Sequence, residues 1–343
     1  MATLMVLGGG GALGAYQAGC LVALAETGAL PDALFGCSAG ALNAAFLAQD
    51  PSLVRAEALA DWWRADTSRS LLAPSLRARV RSVAASARSG ATSLLDASAL
   101  RRVVTTHVSC HDLSELAVPL TVTTTCLDCA AAMHHASGPV ADTLVASCAL
   151  PGLLPPVRLP DGHLHVDGGV VCGVPLDAAM AVAAPNDRVL VLDCGLAPVT
   201  SGPDCAAGPG SAPAGCALGS LEPRSFVAPV DRVHRALDPV LRSFTAARAV
   251  ASAATVRPFL ADPRVEVLPH VADAYAAGLL VDIPRGTRDL SQAAALVSAG
   301  RSATLRWLAA GERGQGTGSH PPAVHREIGQ AVPGQPDQLG EPA

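Results

Sequence analysis

Short apolar runs alternate with longer segments of helical periodicity along most of the chain, which is the pattern of an α/β protein. The apolar runs end at glycine, proline or polar residues, as buried parallel strands do. They predict strands at Thr3–Leu7, Ala33–Phe35, Val118–Cys126, His163–Val170, Val189–Asp193 and Val265–Pro269. The segments between them predict helices at Ala15–Glu26, Ala41–Gln49, Val140–Leu154 and Leu290–Ala310, with further helix across 52–105 and 230–256.

The composition changes at two places and so predicts the domain boundaries. Residues 196–224 are rich in glycine, proline, serine and alanine, and we expect a flexible insertion there. Residues 311–343 are rich in glycine, proline and glutamine, and we expect a disordered tail. A single domain over residues 1–310 accounts for the rest.

Half of the 343 residues are apolar, which is ample for a core, and alanine supplies much of that fraction. The net charge is −5, and all 24 basic residues other than histidine are arginine. This balance gives no basic footprint, so we expect no nucleic-acid partner. Ten cysteines are scattered through apolar segments, as buried thiols are in a reducing compartment.

The N-terminal segment carries no targeting signal that we recognise. Residues 1–25 are uncharged and the first basic residue is Arg55, so the positive segment that opens a signal peptide is missing. Four successive glycines at positions 8–11 argue against a membrane-spanning helix there. We therefore expect a cytoplasmic protein.

The segment Gly36-Cys37-Ser38-Ala39-Gly40 matches G-x-S-x-G, in which a serine occupies a tight turn between a strand and a helix. The predicted strand before it and the predicted helix after it supply that context. Glycines on both sides allow a strained backbone and a close approach by a substrate. The pattern predicts Ser38 as a nucleophile, with Gly36 and Gly40 in support.

The glycine run Gly8–Gly14 lies between the first predicted strand and helix, where free backbone N–H groups form an anion site. Three interpretations compete. Gly9, Gly11 and Gly14 satisfy the dinucleotide fingerprint G-x-G-x-x-G, but Asp32 precedes the second strand instead of ending it. A purely structural turn is the second. An oxyanion hole is the third, and the serine on the next strand favours it.

A serine hydroxyl needs a base to accept its proton. Alternation along the predicted strand 163–170 puts His163, His165 and Asp167 on one face, with Asp167 beside Gly168 and Gly169. A standard triad would use a histidine, and His234 and His270 lie downstream without a recognisable signature. Direct transfer from Ser38 to Asp167 is the simpler arrangement.

Two further patterns have competing interpretations. Cys126-Leu127-Asp128-Cys129, followed by His134-His135, suggests zinc, but no second cysteine pair stands at zinc spacing, so we expect ordinary thiols and no metal. Trp62-Trp63 immediately precede the arginine-rich region 64–102. It fits either amphipathic surface helices or a lid that faces anionic lipid headgroups.

Three stretches in this order resemble the patatin-like phospholipases, in particular bacterial members of this family of lipid acyl hydrolases. They are Leu7–Gly19, Gly36–Ala44 and Val166–Val171, and Ala146–Gly152 also fits the family's approach to the aspartate. The resemblance covers residues 4–195. It implies a three-layer α/β/α fold with a mostly parallel central sheet.

The resemblance also implies a mechanism. Ser38 would be the nucleophile, Asp167 the base, and the amides of Gly9, Gly10 and Gly11 the oxyanion hole, with Gly14, Gly168 and Gly169 in support. The substrates would be lipid or phospholipid esters, hydrolysed through an acyl-enzyme without cofactor or metal, and transient contact with a membrane surface stays open.

One position departs from the family pattern. The family's glycine motif usually carries an arginine where this chain has Leu13. A leucine cannot order the loop or balance charge as an arginine does. A patatin-fold protein that binds lipid or a partner without turnover is therefore the alternative to an active hydrolase, and a dinucleotide-dependent oxidoreductase is a weaker one.

Overall fold

The computed structural model describes residues 1–65, 93, 95–195, 246–280 and 290–315, with side chains as far as residue 311. The predicted insertion 196–224 and all but the first residues of the predicted tail 311–343 lie outside the described residues. So does most of the arginine-rich region 64–102.

Eight strands form one mixed sheet in the order β5-β6-β3-β2-β1-β7-β8, with β4 paired to β3. The strands are β1 Thr3–Leu7, β2 Ala33–Cys37, β3 Leu120–Cys126, β4 Ala131–His135, β5 Val157–Arg158, β6 Leu164–Asp167, β7 Arg188–Leu192 and β8 Val265–Val267. The five strands from β3 to β8 along this order are parallel. The pairs β3–β4, β3–β6 and β5–β6 are antiparallel.

The described residues also form nine helices. They are α1 Gly14–Glu26, α2 Ala39–Ala48, α3 Leu53–Arg64, α4 Ser98–His107, α5 Val140–Ser147, α6 Leu176–Val182, α7 at residues 246–256, α8 Val271–Ala276 and α9 Ala293–Gln315. None of the helices in the described ranges is both long and apolar enough to cross a membrane.

Successive residues of the central strands face opposite sides of the sheet and enter two separate cores. Met5 and Leu7 of β1 belong to the larger cluster, which also contains α1, α2 and the start of α9. Leu4 and Val6 belong to the smaller cluster, which includes α6 and Val256 of α7. A mostly parallel sheet covered on both faces is the predicted α/β/α arrangement, because each strand must bury both faces.

The strand predictions are confirmed to within a few residues, and one helix is shorter than predicted. Helix α5 ends at Ser147 instead of Leu154. Pro151 disfavours helical geometry in the residue before it. The carbonyl of Ala149 accepts a hydrogen bond from the N–H of Asp167 instead of continuing the helix. The chain leaving α5 is therefore attached to the end of β6.

The chain divides into two compact units, Met1–Trp307 and Leu308–Ala343. The first contains the whole sheet. Of the second, only the end of α9 is described.

Candidate active site

Ser38 lies on a strained turn between β2 and α2. Its φ of 53° and ψ of −124° fall in a region that residues with a side chain rarely adopt. The turn is tight, because a methyl group on Gly36 would lie 2.6 Å from Cα of Ala41, and one on Gly40 would overlap the carbonyl of Leu7. Only glycine fits at these two positions, as the motif predicts.

A buried serine on α5 holds this turn in place. The Ser38 N–H donates to Oγ of Ser147 at 2.9 Å, and the Ser147 hydroxyl donates to the carbonyl of Thr123 on β3 at 2.7 Å. Ser147 is fully buried. Its hydroxyl therefore links the nucleophile turn to the neighbouring strand, a contact that no sequence motif predicted.

The Ser38 hydroxyl donates to Oδ2 of Asp167 at 2.7 Å. Asp167 is the last residue of β6 and is fully buried, and its Oδ1 accepts the N–H of Gly169 at 2.8 Å. Burial raises the pKa of Asp167, while Arg248, the Ser38 hydroxyl and the Gly169 N–H lower it by less. A carboxylate whose pKa is raised in this way accepts a proton more readily than an exposed one.

The glycine loop lies directly beside Ser38, since a methyl group on Gly9 would come 3.0 Å from Cβ of Ser38. The N–H of Gly9 already donates to the carbonyl of Gly173 at 2.9 Å. Within the described residues, the N–H groups of Gly10 and Gly11 have no acceptor. Of the three predicted oxyanion donors, Gly9 is therefore already engaged, and the N–H groups of Gly10 and Gly11 remain for a ligand.

Arg248 of α7 enters the same space from the far end of the chain. A methyl group on Gly9 would lie 2.9 Å from Nη2 of Arg248, and one on Gly169 would lie 2.8 Å from its Cζ. The guanidinium therefore lies between the glycine loop and the residues after Asp167. It also acts electrostatically on Asp167, whose pKa it lowers. Sequence reasoning missed Arg248, because no motif surrounds it.

Leu13 and the tryptophans before the arginine-rich region belong to the core. Leu13 is 2% exposed and Trp63 is 1% exposed. Trp63 donates from Nε1 to Asn43 at 2.9 Å and packs against Gly14. Trp62 is partly buried against the same core. The part of the lid interpretation that used Trp63 as a lipid-facing residue is therefore wrong, because this side chain fills the interior.

The histidines considered as bases do not reach the serine in the described residues. His270 caps helix α8 by accepting the N–H of Ala272 at Nδ1, and its Nε2 lies 2.9 Å from the carbonyl of Gly195. Both ring nitrogens are thus engaged away from Ser38. His165 is buried and lies between Thr124 and Asp161. His234 falls outside the described residues.

Comparisons with known proteins place the chain in a family. The sequence profile of the patatin-like phospholipases matches residues 5–180, slightly more than half of the 343-residue chain. Human patatin-like phospholipase domain-containing protein 6 is 33% identical over 192 residues, 56% of this chain and 13% of that protein. Rat patatin-like phospholipase domain-containing protein 7 is 30% identical over 195 residues, 57% of this chain and 14% of that protein.

Two further matches are more distant. Neuropathy target esterase sws of Drosophila melanogaster is 28% identical over 193 residues, 56% of this chain and 13% of that protein. The crystal structure of VipD from Legionella pneumophila superposes with a TM-score of 0.44 at 14% identity, over 90% of this chain and 66% of that one. The chain spans only about an eighth of the length of these curated relatives. The profile match, over more than half of its length, establishes that this chain belongs to the patatin-like phospholipase family.

Proposed function

We propose that this protein is a serine acyl hydrolase that cleaves carboxylic esters of lipids or phospholipids through Ser38 and Asp167. The observation that carries the proposal is the 2.7 Å hydrogen bond between the Ser38 hydroxyl and a buried carboxylate. A serine on a strained turn, directly bonded to a base, is the arrangement that activates a hydroxyl for attack. Family membership supports the lipid-ester class of substrate.

In the proposed reaction, Oγ of Ser38 attacks the ester carbonyl while its proton passes to Oδ2 of Asp167. The carbonyl oxygen becomes an oxyanion, which the N–H groups of Gly10 and Gly11 stabilise. Asp167 returns the proton to the leaving alcohol, and the acyl group stays on Ser38. Asp167 then takes a proton from water as the water oxygen attacks the acyl-enzyme. When this second intermediate collapses, the acyl–Oγ bond breaks, the carboxylic acid leaves, and Asp167 returns the proton to Oγ of Ser38. The groups of this chain that take part are Ser38, Asp167 and the N–H groups of Gly10 and Gly11.

Arg248 has a positioning and electrostatic role in this proposal. Its positive charge lies beside Asp167 and opposes the effect of burial, which favours the protonated carboxyl. Among the described residues, the thiols of Cys37 and Cys148 also lie near Asp167, and burial raises the pKa of both well above the usual range. They stay neutral, so Arg248 supplies a positive charge that favours the ionised form of Asp167 against the larger effect of burial, a function that Leu13 cannot perform.

The alternative is a protein of the same fold that binds a lipid or a partner without turnover. Leu13 in place of an arginine favours it, because the buried leucine supplies no charge to the glycine loop. Labelling with a fluorophosphonate separates the two proposals, since only an activated serine reacts. Labelling of Ser38 supports the hydrolase, and unlabelled but folded protein supports the binding protein.

Ester hydrolysis tests the proposal directly. We expect the wild type to hydrolyse a short p-nitrophenyl ester and at least one class in a lipid panel of phospholipids, lysophospholipids and neutral lipids. The Ser38→Ala variant should lose both activities and the fluorophosphonate label. The control is Ser109→Ala, which removes an exposed hydroxyl bonded to Gln49. Wild-type rates in Ser38→Ala would refute the proposal.

The location of the protein is a further proposal. We infer a cytoplasmic protein that contacts membranes at most transiently, in keeping with a lipid substrate. Sedimentation with vesicles of phosphatidylcholine, with and without an anionic lipid, measures that contact. Quantitative sedimentation that survives high salt would contradict transient contact.

A further inference from the structure

The hairpin turn between β3 and β4 brings together three side chains that metals prefer. The Sγ atoms of Cys126 and Cys129 and one ring nitrogen of His163 all lie within 4.8 Å of one another. In a tetrahedral zinc site, Zn–S and Zn–N bonds of about 2.3 and 2.1 Å place neighbouring ligand atoms about 3.6–3.8 Å apart. The three ligand atoms are therefore at most about 1 Å farther apart than a bound ion requires.

Small side-chain rotations can close that gap, because only one of the three ligands is fixed. Cys126 is buried at the end of β3, where it pairs with both β4 and β6. Cys129 is exposed, and the side chain of His163 is 46% exposed. Cys126 is therefore the fixed ligand, while Cys129 and His163 can move and can be reached by an ion from solvent.

The backbone and a carboxylate already support metal binding here. The N–H of Cys129 donates to Sγ of Cys126 at 3.2 Å, which holds the backbone of Cys129 against that sulfur atom. Oδ2 of Asp128 accepts the N–H of Leu164 at 2.9 Å and lies 3.3 Å from Nδ1 of His163. A carboxylate bonded to one ring nitrogen orients the imidazole, as such partners do in many metal sites.

The sequence pattern suggested His134 and His135, not His163, as the histidine ligands of a zinc ion. His134 lies 3.0 Å from the hydroxyl of Thr123, and His135 lies 2.8 Å from that of Thr124. Both are therefore engaged with neighbouring strand residues. His163 is 34 positions after Cys129, and the antiparallel pairing of β6 with β3 brings it to the turn.

We propose that Cys126, Cys129 and His163 bind one Zn²⁺ ion, with water in the fourth position and Asp128 orienting His163. Thiolate and imidazole ligands in this combination favour zinc over magnesium or calcium. The ion would join the β3–β4 turn to the residue before β6, the strand that ends at Asp167. The site shares no residue with the proposed hydrolase centre and does not depend on that proposal.

Metal titration of the reduced, chelator-treated full-length protein tests the site. We expect calorimetry with Zn²⁺ to give one ion per chain, and Co²⁺ to produce the absorption band of a thiolate-bound ion. Zn²⁺ should also raise the melting temperature. Cys129→Ser and His163→Ala should each weaken Zn²⁺ binding by at least about tenfold and abolish the rise in melting temperature.

The matched controls are Cys110→Ser, a thiol outside the cluster, and His134→Ala, an exposed histidine of the same hairpin. Both should bind Zn²⁺ as the wild type does. Circular dichroism without metal checks that each variant is folded, which the exposure of Cys129 and His163 favours. Absence of Zn²⁺ binding by the reduced wild type overturns the proposal. So does wild-type affinity in both ligand variants, or an equal loss in the controls.

Discussion

Replacement of Ser147 by alanine tests how the nucleophile turn is held. The change removes the acceptor of the Ser38 N–H and the donor to the Thr123 carbonyl, both in a fully buried position. An unpaired buried N–H costs about 1–3 kcal/mol, and the second lost bond adds about 1 kcal/mol. We therefore expect the free energy of unfolding to fall by about 2–4 kcal/mol and the melting temperature by about 4–10 °C.

The same change should reduce the reactivity of Ser38. The turn holds a φ of 53°, which costs about 1–3 kcal/mol and persists only where neighbouring contacts enforce it. Without the bond to Ser147 the turn relaxes, and misplacement of a reacting group by about 1 Å costs about 10²-fold in rate. We expect the fluorophosphonate labelling rate to fall about ten- to a hundredfold.

Thermal denaturation and labelling kinetics measure these two effects separately. Ser109→Ala is the control, because its hydroxyl is exposed and such changes usually stay within about 0.5 kcal/mol. If Ser147→Ala melts and labels like the wild type, the bond between α5 and the turn does not hold Ser38. If stability falls but labelling is unchanged, the bond stabilises the fold without positioning the nucleophile.

Two other substitutions test the charges of the site. Asp167→Asn should lower ester hydrolysis by about 10²–10⁴-fold, the contribution of a general base, while raising the melting temperature at pH 7. The folded-state pKa of Asp167 lies above its unfolded value, so ionisation of this carboxyl destabilises the wild-type fold as the pH rises. The rise in melting temperature caused by Asp167→Asn should therefore shrink as the pH falls towards 4. A melting temperature of Asp167→Asn below that of the wild type at pH 7 would contradict this. Arg248→Met removes a charge that lowers the pKa of Asp167, so the acidic limb of the pH profile of kcat/KM should move to higher pH. Arg248→Lys should return the acidic limb most of the way to its wild-type position. The control is Arg301→Met, which removes an exposed arginine paired with Glu26 and should leave the limb in place. An unmoved limb in Arg248→Met would refute the electrostatic role.

The central strands of this fold could be predicted from the sequence because they depend on local periodicity, whereas strands β4 and β5 and helices α6 and α8 were not predicted. Strands β1, β2, β3 and β7 are buried runs of apolar residues, and each lies at its predicted place to within two residues. The turn at Ser38 was also predictable, since two glycines that admit no side chain leave a sequence signature. Asp167 could be found because its strand and the following glycines form a short pattern of their own.

The tertiary structure alone decided which distant residues meet at those patterns. Ser147 reaches Ser38 because α5 packs beside β3, and Arg248 reaches Asp167 because α7 returns to the carboxyl ends of the strands. His163 meets Cys129 because β6 runs antiparallel to β3. The inward position of Trp63 is likewise a matter of packing. None of these contacts follows from residue spacing, because the strand order that creates them is set by how the whole core is buried.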